Sequence, residues 1–297
     1  GLLAQKRYPE GYSPVIEHPV LFCKGTDRAK LRERLNKQPW KNWYKTLHRP
    51  MAEIALAAQD LKELQSPNFN LKVFPFQGSA ITPVSKGGNI LPVQENFGPS
   101  SAVVNCAFVG FLEDNKKFTD KARQLLLEYA DSNWCIGGWG GEDYEIGSGW
   151  DHAWVANASL ASAYDLIANS FSPEERLRFE ARLARDLEWC QTDPISPRYN
   201  PSWFGSVFMG IAALLLGRQD YIKKTEAMLD QYVDQVLWGE GEYFEGASYQ
   251  SGCMEPQNII LMSAIYNVTG RNPADNQRWA MRAEHWIRRS SPLGTDM

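Results

Sequence analysis

The chemistry-bearing residues of this sequence gather in two glycine-rich, aromatic stretches. Gly137-Gly138-Trp139-Gly140-Gly141-Glu142-Asp143-Tyr144 and Trp238-Gly239-Glu240-Gly241-Glu242-Tyr243-Phe244-Glu245 set Trp139, Tyr144 and Tyr243 among carboxylates. Their glycines let backbone approach a ligand closely. A flat ring stacks on the apolar face of a pyranose while its hydroxyls find polar partners, so aromatics mixed with acids on loops point to a carbohydrate site. Trp150 and Trp203 stand at adjoining helix starts and join the same set, and Gln94 and Asn96, just ahead of another helix, are candidate substrate contacts. His152, in Trp150-Asp151-His152-Ala153-Trp154, is a candidate base or carboxylate contact that Asp151 could orient. The carboxylates Glu142, Asp143, Asp151, Glu240, Glu242 and Glu245 also hold the makings of a glycoside hydrolase, which needs an opposed pair about 5 to 9.5 Å apart. A binding module without turnover is the third reading.

Composition narrows the partners. The 297 residues are 43% hydrophobic and 22% charged, which suits a large folded domain or two small ones and excludes disorder. With 31 Lys and Arg against 35 Asp and Glu the net charge is −4, so no nucleic-acid partner is expected and an acidic ligand must meet a local cationic site. No apolar run approaches the ~18 to 20 residues of a membrane span, and the first residues carry no signal-peptide pattern. The five cysteines, Cys23, Cys106, Cys135, Cys190 and Cys253, lack metal-ligand spacing and read as small apolar residues, with no metal or cofactor expected. The sequons at Asn157 and Asn267 fall within helical pattern and read as chance matches.

Helices must position all of this, because period-3.6 patterning dominates from residue 27 and strand alternation is nearly absent. Expected helices cover 27–38, 40–62, 99–113, 117–133, 150–169, 173–190, 202–217, 219–237, 247–269 and 275–290. The best-marked start is Ser172-Pro173-Glu174-Glu175, with N-cap serine, proline at the first position and a capping-box glutamate. Connections alternate between tight turns (114–116, 169–171, 217–219, 270–274) and long Gly/Pro/aromatic loops (63–98, 134–149, 191–201, 238–246). Successive loops of an up-and-down helical array fall at opposite ends, so the long loops share one end. The expected fold is therefore all-α, an (α/α) barrel or toroid of helix hairpins, as a closed or an incomplete ring. Residues 1–26 form an N-terminal lead-in and 27–297 the toroid domain.

Glu245-Gly246-Ala247-Ser248-Tyr249, an acidic turn running into a helix, resembles the segment of heparinase II/III-like and related alginate lyases that supplies a catalytic tyrosine. Tyr199-Asn200-Pro201-Ser202-Trp203, leading into an apolar small-residue helix, is similar to their Asn-Trp or Asn-His helix start. His18-Pro19-Val20-Leu21-Phe22 and Ala161-Ser162-Ala163-Tyr164-Asp165 resemble further segments of the family. The resemblance implies β-elimination on an acidic, uronate-containing polysaccharide, in the periplasm or outside the cell, by a toroid that often precedes a C-terminal β-sandwich. It implies Tyr249 as base and acid, Asn200 and Arg198 neutralising the uronate carboxylate alongside His152, and Glu245 positioning these groups.

Overall fold

The computed structural model describes residues 12–14, 17–65, 92–132, 152–190, 200–232, 255–275 and 279; of these, 65, 92–99, 152–156, 189, 200–204 and 255–257 are described at the backbone alone. The described residues are helical with no strand among them, as the 3.6-residue patterning requires. In chain order come α1 (Arg28–Arg34), α2 (Trp40–Trp43), a π-helical turn (Tyr44–His48), α3 (Arg49–Ala57) and α4 (Leu61–Gln65). There follow α5 (Pro92–Glu113), α6 (Lys116–Asp131), α7 (His152–Ile167), α8 (Pro173–Cys190), α9 (Asn200–Leu216), α10 (Gln219–Gln231) and α11 (Glu255–Thr269).

Local chemistry accounts for the helix ends. Ser172 and Glu175 form the expected capping box, with the Glu175 N–H donating to Ser172 Oγ at 3.3 Å and the Ser172 N–H to Glu175 Oε2 at 2.8 Å. At the α5–α6 turn Asp114 adopts φ 57° and Asn115 caps α6 by accepting from the Lys117 N–H. Gly217 ends α9 at φ 65°, and a Cβ there would lie 1.9 Å from the Ser13 carbonyl oxygen, so both conformation and space demand glycine. Some boundaries differ from expectation: the helix expected over 27–38 ends at Arg34, and that expected over 40–62 breaks at Ala58, extended at ψ 141°, so that α3 ends at Ala57 and α4 begins at Leu61. The segment 63–98 reads in sequence as a single loop, yet α4 occupies its start and α5 begins at Pro92, with the Gly98-Pro99 break lying inside the helix. Proline at a first helical position is compatible with helix, which is how the pattern misleads. The remainder of that loop, the loops 134–149 and 238–246, most of 191–201, and the helix expected at 275–290 lie outside the described residues apart from helical Trp279.

The helices pack in two rows. α5, α7, α9 and α11 lie side by side in a front row, each against the next, while α6 and α10 back α5 and α9, α3 lies against α5 and α6, and α8 lies against α6 and α9. Within the front row α9 is apolar enough to be buried on both faces, with Val207, Phe208, Met209, Ile211, Ala212 and Ala213 all fully buried, whereas α11 exposes Ile259 and Tyr266. Tyr164 of α7 stacks on Phe179 of α8 with ring centroids 4.6 Å apart, and its hydroxyl donates to Glu180 at 2.6 Å. Between α6 and α8 a buried network does the joining. Arg182 lies over the Tyr129 ring, donates to Asp186 and to the carbonyls of Tyr129 and Ser132, and so satisfies the C-terminal carbonyls of α6.

A strap fixes the polarity of the front row. The Ser13 N–H donates to the carbonyl of Leu216 at the end of α9. Near the end of α7, Asp165 accepts from the N–H groups of Val20 and Leu21 and meets His18 Nδ1 at 2.7 Å, and Asn169 donates to the His18 carbonyl. Asn267, near the end of α11, donates to the Leu21 carbonyl. Arg32 donates to the carbonyl of Leu112 and Arg28 pairs with Asp114 at the end of α5. Residues 13–32 thus touch the C-terminal ends of all four front-row helices, which therefore run parallel with their N-terminal ends together at the other end. His18 and Asp165, quoted above as two separate segments, form one buried contact.

Candidate active site

The N-terminal end of the front row gathers several of the residues singled out in sequence. His152 is the first residue of α7 and Asn200 the first of α9; Trp203 falls in the first turn of α9, and Gln94 and Asn96 in the first two turns of α5. The backbone of these five residues therefore lies at the end away from the strap. Tyr249, Arg198, Trp139, Tyr144, Trp150, Tyr243 and Glu245 lie outside the described residues. So do Glu142, Asp143, Asp151, Glu240 and Glu242, and with them the carboxylate separation that separates hydrolysis from elimination.

The end itself has a defined electrostatic character. The first backbone N–H groups of a helix have no intrahelical acceptor, and each helix N-terminus carries roughly +0.5 of a charge. Parallel α5, α7, α9 and α11 present four such termini side by side, a setting that favours anionic groups over neutral ones.

One turn or two further in, every front-row helix buries a polar side chain: Ser100 of α5 at 3% exposure, and Asn157 of α7, Ser206 of α9 and Asn258 of α11 at 0%. Asn157 and Ser206 each lie ten residues before the end of their helix, about 15 Å above the strap along the axis. They share a level. Among the described residues neither amide atom of Asn157 has a hydrogen-bond partner, a state that costs about 1–3 kcal/mol and that folded chains seldom keep without reason. The loop-centred reading of the sequence missed this layer. Its signal was present as a lone amide or hydroxyl within otherwise apolar helical runs, such as Val155-Ala156-Asn157-Ala158 and Gly205-Ser206-Val207-Phe208.

The strap end is built for cohesion. Arg218 stacks between the Tyr12 and Tyr221 rings and pairs with Glu188, to which both tyrosines donate, at 2.7 and 2.9 Å. Burial followed by the bond to Glu188 raises both tyrosine hydroxyls above their ordinary range. Burial alone would raise Glu188, but donation from Tyr12, Arg218 and Tyr221 outweighs it and holds the carboxyl below its usual value. Tyrosines so protonated are structural donors and unsuited to act as bases. Among the described residues no group of three or more His, Cys, Asp or Glu is arranged to hold a metal ion.

No protein-family model matches the chain, and no curated protein sequence matches it.

Proposed function

We propose that the chain is an (α/α) toroid polysaccharide lyase that cleaves a uronate-containing polymer, of the alginate, glucuronan or glycosaminoglycan class, by β-elimination. The observation that carries the reading is the polarity of the front row: the helix starts that include His152 and Asn200 lie at the one end where four helix N-termini meet. That end suits a carboxylate-bearing sugar, and the aromatic loops 134–149 and 238–246 connect into it along the chain.

In this reading Asn200, with Arg198 and His152, donates to the uronate carboxylate and takes up the charge that grows as the C5 proton leaves. Tyr249, as phenolate, removes that proton. The C5–H electrons form the C4=C5 double bond, the C4–O4 bond breaks, and the tyrosine returns its proton to the leaving oxygen. Glu245 positions the base, and Trp139, Tyr144, Trp150, Trp203 and Tyr243 stack along the polymer with Gln94 and Asn96 at the rim. The fully buried, unpartnered Asn157 amide supports a polar floor beneath this site. A periplasmic or secreted location goes with the substrate class.

The test is incubation of the chain with a panel of uronate polymers, following ultraviolet absorbance of the unsaturated product alongside reducing ends. Both rise together in the wild type and both are lost in Tyr249→Phe. Reducing ends without absorbance would transfer the site to the hydrolase reading and its carboxylates.

A further inference from the structure

The net charge of −4 hides a strongly basic segment. Residues 24–49 hold nine Lys and Arg against two Asp and Glu, a local charge of +7 in an acidic protein. Part of this is internal: Arg28 pairs with Asp114, Arg49 with Glu53 and Glu113, and Lys37 with Glu33. Lys30, Arg34, Lys41 and Lys45 are exposed and make no ion pair among the described residues. Two tryptophans stand among them. Trp40 is 45% and Trp43 49% exposed, and their rings meet edge to face at 5.2 Å and 89°. Phe22 at 37% and Tyr266 at 54% are exposed as well, but Trp40 and Trp43 are the pair that lies within the basic segment, and rings so exposed are not needed by the core.

Both rings line a cavity of 230 Å³ together with Arg34, His48 and Phe108. It is smaller than the ~300 Å³ at which drug-sized pockets begin, and it suits a single sugar ring. His48 is held in place. Asn105 donates from Nδ2 to the Ser101 carbonyl, which turns its Oδ1 toward His48 Nδ1 at 2.6 Å, so His48 Nδ1 is the donor of that pair and Nε2 is left for another partner. Phe108 and Leu112 belong to the strap end of α5. Fourteen residues, about 21 Å along the helix axis, separate Phe108 from Gln94 at the N-terminal end of the front row.

We infer that this face is a second binding site for an acidic polysaccharide, an anchor separate from the N-terminal end of the front row, in which Trp40 and Trp43 stack on one uronate ring while Arg34, Lys41 and Lys45 meet carboxylates along the chain. The charge complementarity selects an anionic polymer, and a ring-sized pocket between crossed indoles selects a sugar. The choice of uronates rests on the proposed function, but the binding does not require turnover.

The experiment is electrophoretic retardation of the full chain in gels containing alginate, polygalacturonate or neutral dextran, with phosphatidylserine vesicles and single-stranded DNA as separate arms. Wild type is retarded by the acidic polymers and not by dextran, with retardation weakening as salt rises. Trp40→Ala with Trp43→Ala weakens binding by roughly tenfold, and Lys41→Glu with Lys45→Glu weakens it and flattens the salt dependence, all with unchanged thermal unfolding because the side chains are exposed. Turnover of a short uronate oligosaccharide stays at the wild-type rate in these variants. Equal retardation of variants and wild type, no retardation at all, or binding confined to vesicles or DNA overturns the inference. Binding lost in the variants with no turnover of any uronate leaves the anchor standing and removes the lyase reading; turnover with unaltered binding does the reverse.

Discussion

Asp165 shows how much a single side chain holds. It is 0% exposed and gathers the Val20 and Leu21 N–H groups and His18 Nδ1 around one carboxylate. Asp165→Ala removes the acceptor that all three groups share, and urea unfolding should show a loss of about 3–5 kcal/mol, with Asp165→Asn, which keeps one acceptor oxygen, losing less. A loss below about 1 kcal/mol would mean the strap is held elsewhere. Asn157 predicts the opposite sign. Replacing its unpartnered amide by leucine should raise stability by about 1–2 kcal/mol, and, if the polar layer floors a site, should lower kcat/KM on the uronate polymer. A variant that gains stability and keeps full activity would make the amide a plain packing flaw. Neither role was legible in the sequence, because burial and missing partners are properties of packing; Asp165 was noticed only as part of a short resembling segment.

At the scale of elements, the sequence reading was good wherever local chemistry decides the outcome. The Ser172 capping box, the turns at 114–116 and 217–219, and the spans of α6, α8 and α9 follow from caps, glycines and apolar period. It fails over 40–62, where the helical period runs on through the break at Ala58, and at α5, where Pro99 inside the helix mimics a start that Pro92 marks instead. The strap was invisible because it depends on contacts between residues 13–32 and helices far along the chain. Gly217→Ala tests its seating: the added Cβ meets the Ser13 carbonyl, and φ 65° disfavours it as well, so a loss of at least about 2 kcal/mol is expected in chemical unfolding. The conformational part alone costs about 1 kcal/mol, so a loss no larger would show that residue 13 yields easily.

Across the whole molecule, burial of protonated groups sets an alkaline limit. The Cys106 thiol is pushed up to about 12 by burial, and the Cys23 thiol to about 12 by burial and then by the charges of Asp165 and Asp27. Tyr12, Tyr44 and Tyr221 are raised above their ordinary range, by burial first. A group whose folded pKa is raised lends stability that is complete below its unfolded value, so stability should fall as pH climbs from about 9 toward 12. Glu113 and Glu188 are held low against burial by their donors, so their contribution is present above about pH 4.3 and lost as pH falls through their lowered folded values. Urea midpoints measured from pH 3 to 11 should trace a plateau with both shoulders, and a midpoint that keeps rising beyond pH 10 would contradict the alkaline half.

The same two-ended design underlies the functional account: a strapped, cohesive end and an opposite end of helix N-termini whose partial positive charge suits an anionic ligand. Aromatic loops and composition raised a carbohydrate site as an expectation, whereas the shared end of His152 and Asn200 needed the parallel front row. Cleavage of a uronate polymer in heavy-oxygen water, with products weighed by mass spectrometry, tests the central claim most directly. Elimination predicts unsaturated ends one water lighter than hydrolysis products and free of the oxygen label; labelled, saturated products would contradict it.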